Sequence, residues 1–179
     1  IIGYSGFFLA GGTYDVQSIM LWLFQMVFCT KAVTIIAGAV AERMKFAPYL
    51  IYSFVVCGFI YPIYGHWVWG GGWLGNIPFG SGVMDFAGSA VVHTIGGMLA
   101  LVGAFFLGPR AKKFNPDGTS NAIPGHDLTL VVVGTLLLAF GWFGFNAGST
   151  LGATDLRISV VASNTFIAAA AGAALVIFV

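Results

Sequence analysis

The sequence predicts an all-α membrane protein, a polytopic helical bundle, and three observations carry that prediction. Of 179 residues, 59% are hydrophobic, and seven Lys or Arg with six Asp or Glu make up only 7% of the chain. An ordinary soluble domain carries roughly a quarter of its residues as these four types. Too little charge is present to clothe a water-facing surface, so a soluble domain, a disordered segment and a nucleic-acid-binding protein are excluded. The net charge of +1 argues against electrostatic capture of a large anionic partner. Finally, the apolar residues fall in five windows, each about the 20 residues that a helix needs to cross a bilayer.

In chain order these windows are 19–41, 49–69, 86–107, 128–149 and 158–179, and only the first holds a charge, Lys31. The runs are continuous and do not alternate in ten-residue pieces, so they read as helices and not barrel strands. The stretch 1–12 is apolar and Gly-rich but too short to span and lacks the charged start of a signal peptide. It reads as the tail of an earlier helix, and the fifth window reaches Val179 without a flanking anchor. The expectation is a piece of a longer polytopic protein.

Arg43 and Lys45 follow the first span and Arg110, Lys112 and Lys113 follow the third, which puts both basic loops on one side. By the positive-inside rule that side is cytoplasmic. The loop 66–84, with Trp67, Trp69 and Trp73, then faces outward. Cys29 and Cys57 sit inside spans and read as small buried thiols, with no support for a disulfide or a metal site. Gly96, Ala100, Ala104 and Gly108 place a small residue at every fourth position of the third span. Gly144 with Gly148, and Ala168 with Gly172, repeat the pattern later. Such seams let helix backbones approach closely in lipid, so a compact bundle is expected.

Ionisable groups at membrane depth are functional candidates. His93 falls about two turns inside the third span, on the face of Gly97; it reads equally as a functional imidazole or as one bonded to a neighbouring helix. Asp85 stands where that helix starts, which favours an N-cap over a cation site. Phe24 and Lys31 flank Phe28 at helical spacing, as Trp142 and Ser149 flank Phe145. Spacing alone does not lift these aromatics above lipid contact or core.

Longer runs are more specific: Asp85-Phe-Ala-Gly-Ser-Ala-Val-Val-His93 leading to Leu107-Gly-Pro-Arg110, and His126-Asp-Leu followed by Gly141-Trp-Phe-Gly-Phe-Asn-Ala-Gly-Ser149. Gly38-Ala-Val-Ala-Glu-Arg43 and Trp67-Val-Trp-Gly-Gly-Gly72 close the first and second spans. In order and spacing, over essentially the whole chain, they resemble the ammonium transporter family, in its Amt branch. The resemblance implies part of an eleven-helix inverted-repeat fold, from the end of the second helix through most of the seventh, in a homotrimer with one pore per subunit. It implies ammonium transport, not enzyme catalysis, with no cofactor or metal, in a plasma or bacterial inner membrane. Trp69, Phe24 and Ser149 match the outer ammonium-recruiting positions, with Asp85 stabilising that site from below. Phe28 and Phe145 match the stacked pore gate, and His93 matches the first of two pore histidines; Trp142, on the face of Phe145, and Lys31 are placed with His93 in the pore. The second histidine is not in this chain, since His66 and His126 lie at membrane ends.

Lys31 departs from the pattern, which has a small or apolar residue three positions after the gate phenylalanine. On the gate's own face it would set a cation or a titrating amine near the path; the alternatives are snorkelling, pairing elsewhere, or an idiosyncrasy of this sequence. An ammonium sensor on the same fold, binding without conducting, is therefore the second expectation. The loop 108–127 reads as a solvated connector, and in related transporters cytoplasmic loops meet a PII-type regulator.

Overall fold

A computed structural model describes residues 2–178, all helical apart from loops and one isolated antiparallel bridge between Phe114 and Ser120. Five helices are long and apolar enough to cross a membrane: α1 (Val16–Val40), α2 (Phe46–Val68), α3 (Ser89–Leu107), α4 (Leu128–Thr150) and α5 (Leu156–Val176). Val179, the expected end of the last span, lies outside the described residues. The chain forms two compact units, Ile1–Ala122 with α1–α3 and Ile123–Val179 with α4 and α5.

In the first unit, α1 starts on Asp15, whose carboxylate accepts the Gln17 and Ser18 amides at 2.9 and 3.1 Å and the Ser18 hydroxyl at 2.6 Å. The hydroxyl bond, with the amides behind it, holds the Asp15 carboxyl below the usual carboxylate range. Facing α1 is α3: an added Cβ at Gly96 would lie 3.0 Å from the Ala32 carbonyl oxygen, and one at Gly103 would lie 3.0 Å from Val40 Cγ1. The close seam therefore runs through Gly96 and Gly103. Gly108, expected in that seam, instead follows the last residue of α3 with φ +70, where a glycine ends a helix without Cβ strain.

Val33, Ile36, Val40 and Val56 form the core of this unit, with Tyr49, Tyr52, Cys57, Ile60 and Leu99 packed around it. Lipid offers no hydrophobic drive between helices, so polar contacts matter more to register here. Three tyrosines of α2 supply them. Tyr49 Oη donates to the Val33 carbonyl at 3.2 Å, Tyr52 Oη to the Leu99 carbonyl at 3.2 Å, and Tyr61 Oη to Gln25 Oε1 at 2.9 Å. The ends of α1 and α3 are joined as well: Arg43 Nη1 donates to the Gly108 carbonyl at 2.6 Å, and Glu42 pairs with Arg110 at 2.8 Å. The two basic loops thus share one end of the unit, as one crossing per helix requires.

The second unit is α4 and α5, linked by a hydrogen bond from Asn146 Nδ2 to Thr165 Oγ1 at 3.1 Å. Asp127 caps α4 and Asp155 caps α5. Ala147 is the one buried residue of α4 among the described residues, and α5 has none. The expected tight seams do not form in this unit: positions for a Cβ at Gly144, Gly148 and Gly172 have nothing within 4 Å. A small residue only permits close approach; it needs a helix facing it.

Candidate functional site

Trp69 ends α2, and its indole Nε1 donates to the Asp85 main-chain oxygen at 2.7 Å. That bond fixes the indole at the entrance to α3. The Asp85 side chain turns the other way. Its Oδ1 accepts the amides of Gly88 and Ser89 at 2.6 and 2.9 Å, and its Oδ2 accepts those of Ala90 and Val91 at 2.9 and 2.8 Å. These are the amides that a helix start leaves without intrahelical partners, and an anion there also meets the positive end of the helix dipole. Asp85 is therefore a capping group that reaches from four residues before the helix. Gly88 makes the reach possible: its φ of +97 is left-handed, and an added Cβ would fall 2.6 Å from Val92 Cγ2 and 3.6 Å from Phe28 Cδ1.

Because residues 86–88 serve this capping turn, α3 begins at Ser89 and His93 lies about one turn inside it, not two. The first turn is wide, of the π type, and runs Ser89–Thr94. His93 Nδ1 is 3.1 Å from the Gly88 carbonyl oxygen. A carbonyl only accepts, so a hydrogen bond here places the proton on Nδ1 and makes Nε2 the acceptor of the neutral ring. Gly97, expected to share a packed face with His93, is exposed. Similar π turns occur at Val56–Ile60 in α2 and at Phe143–Ala147 in α4. Such turns often mark functional positions in helices.

Phe28 is buried at 3% exposure, and its ring sits 4.4 Å from Phe24 and 6.2 Å from Trp69. Phe24, Phe28, Trp69, Asp85 and His93 are thereby gathered at one end of the first unit, around the start of α3. Lys31 is not gathered with them. The packed stripe of α1 runs through Phe28, Cys29, Ala32, Val33 and Ile36, and Lys31 lies off it, exposed and without an ion pair among the described residues. Four residues after Phe28, Ala32 takes the place on the buried face that three-residue spacing had suggested for the lysine.

Gln25 and Tyr61 were not singled out from sequence. Their signal was present as an uncharged amide in an apolar span, but a search for charges passes over it. Tyr61 is 5% exposed and bonded to Gln25, and both line a cavity of about 540 Å³ between α1 and α2, with Trp22, Cys29, Cys57 and Trp69 also on its wall.

In the second unit, Phe145 lies in the π turn of α4, with its ring 6.4 Å from Trp142. The Ser149 hydroxyl donates to the Phe145 carbonyl at 2.6 Å. Its proton is thereby engaged, and its oxygen lone pairs remain able to accept an N–H. Trp142, Phe145 and Ser149 thus form one local group, joined by the helical spacing that first related them.

Residues 1–179 match the Ammonium Transporter Family. Similar proteins include the ammonium transporter Amt2 of Archaeoglobus fulgidus, 58% identical over 179 residues, with 97% of this chain and 38% of that protein covered. The ammonium transporter Amt1 of Methanocaldococcus jannaschii is 44% identical over 165 residues, covering 92% and 41%. Ammonium transporter 1 member 2 of Oryza sativa subsp. japonica is 50% identical over 137 residues, covering 73% and 28%. The chain therefore spans less than half the length of these relatives. With its whole length matched and its five membrane-length helices in place, the chain belongs to the Ammonium Transporter Family.

Proposed function

We propose that this segment recruits ammonium and passes it onward as ammonia within a membrane transporter. The observation that carries the reading is the aromatic group Phe24, Phe28 and Trp69, held at the capped start of α3. A small cation is drawn to aromatic faces by their quadrupoles. Trp69 and Phe24 supply such faces in the first unit, and Ser149 supplies an acceptor oxygen in the second. The Asp85 carboxylate is engaged by four amides. Its part is accordingly to hold Trp69 and the helix start in place, without contacting the ion. By family likeness, Phe28 and Phe145 are assigned to the gate. Past an apolar barrier the cost of desolvating a charge favours neutral ammonia over ammonium. Nε2 of His93 is then an acceptor on the path of the released proton. By the same family likeness, the working unit is a homotrimer in the cell membrane, with its basic loops inside and available to a PII-type regulator.

The test uses the full-length protein. Ammonium-elicited current in proteoliposomes and growth of a transport-deficient strain on limiting ammonium are expected, both reduced by Trp69→Leu. Absence of both in a well-expressed protein overturns the proposal.

A second reading, an ammonium sensor that binds without conducting, rests on Lys31 as the one charge inside a span, three residues after Phe28 in sequence although off its packed face. A transporter predicts that Lys31→Ala raises the transport rate or leaves it unchanged. Ammonium binding without current in the native protein, with current appearing in Lys31→Ala, would favour the sensor. Complete loss of transport in that variant at normal expression would show that the lysine takes part in conduction.

A further inference from the structure

The hydrogen bond between Tyr61 and Gln25 sets the register of α2 against α1, which run in opposite directions. Moving one turn along each helix, four residues forward from Gln25 and four back from Tyr61, brings Cys29 opposite Cys57, about 6 Å further along the pair. Both cysteines are free thiols. Cys57 is carried on the π turn Val56–Ile60, and both cysteines line the cavity between the two helices. Met26 lines it too, one turn from Cys29 on the same helix, and presents a thioether. His66 stands on the same wall but nine residues beyond Cys57, about 13 Å along α2, too far to serve with it. No group of three or more His, Cys, Asp or Glu side chains gathers among the described residues.

We infer that Cys29 and Cys57 form a two-thiolate site for a soft divalent cation, with the Met26 thioether as its neighbouring soft donor.

Three physical points select this ligand class. Sulfur donors without carboxylates favour soft ions over magnesium or calcium. At metal–sulfur distances of about 2.3 Å, two tetrahedral ligands sit roughly 3.8 Å apart, a span that thiols opposite each other on two packed helices reach by side-chain rotation and a local adjustment. Charge closes the argument: a divalent ion displaces one proton from each thiol and forms two metal–sulfur bonds, leaving the protein site with no change in net charge. A neutral product suits a site at membrane depth, where a net charge is costly. Cys29 directly follows Phe28, so an occupied site would also tie α1 to α2 next to that ring.

The experiment takes the full-length protein, reduced and in detergent, and titrates it with cadmium chloride. One cadmium per chain is expected beyond that bound by a Cys29→Ser, Cys57→Ser double variant, with thiolate-to-metal absorbance in the ultraviolet. Each single variant is expected to lose about 100-fold or more in affinity, as when one arm of a chelate is removed. The unmutated protein gives an independent readout: cadmium should protect Cys29 and Cys57 from alkylation by N-ethylmaleimide, mapped by mass spectrometry. Equal cadmium in native and double-variant protein, or unchanged alkylation of both residues, overturns the inference. None of these readouts depends on transport.

Discussion

Asp85 and Asp127 each precede a membrane-length helix, and each gives up its carboxylate to main-chain amides. Asp127 does so with one oxygen, which accepts the Thr129 and Leu130 amides at 2.8 and 3.1 Å from the residue next to the helix. Asp85 uses both oxygens on four amides from four residues away, over a left-handed Gly88, while its own carbonyl holds Trp69. The first arrangement is a cap that any helix start can use. The second joins a helix start, a wide first turn and an aromatic side chain into one unit. Removing one group there disturbs several others, and this is what separates it from an ordinary helix terminus.

The largest test of that contrast is Asp85→Ala, which leaves four amides without their charged acceptor. A loss of about 3 kcal/mol or more is expected, read as a lowered unfolding midpoint in detergent together with a shift in Trp69 fluorescence. Gly88→Ala keeps the carboxylate but forces a Cβ into a left-handed residue against Val92. A cost of about 2–3 kcal/mol follows from the backbone strain and overpacking combined, and the same unfolding assay reads it. Asp127→Ala should cost about 1 kcal/mol, the usual value of a lost cap, and leave tryptophan emission unchanged. If the two aspartate variants lost equal stability, the distinction between the two helix starts would fail.

The smallest effect concerns pH at Asp155, the half-exposed cap of α5. The Arg157 amide, and then its side chain, hold this carboxyl below the ordinary carboxylate range. A lowered folded value means the contribution is complete above the unfolded pKa of about 3.9 and is lost as pH falls through the lower folded one. Amide exchange in the first turn of α5, corrected for intrinsic rate, should therefore stay constant down to about pH 4 and quicken only below it.

Much of this was legible along the chain. Length and apolarity located five helices, because a bilayer fixes both requirements locally. The run from Asp85 to His93 announced a helix start, and the spacing of Trp142, Phe145 and Ser149 already related three residues that prove to be local neighbours. Contacts between elements were less legible. Lys31 and Ala32 are both compatible with the face of Phe28 by helical spacing, and only packing against the rest of the unit separates them. Gly96 and Gly144 look alike in sequence, yet one meets Ala32 and Ile35 while the other meets nothing of its own unit within 4 Å.

Read along the chain alone, the residues already place the membrane-length helices and the family motifs they carry. These follow from composition, from period and from order along the chain. It takes packing to bring Tyr61 to Gln25, to set Cys29 and Cys57 on one cavity wall, and to engage both oxygens of Asp85 with amides. Each of these depends on the register between segments distant in the chain. In an apolar bundle, that register is set by a few close approaches and hydrogen bonds rather than by the hydrophobic pattern.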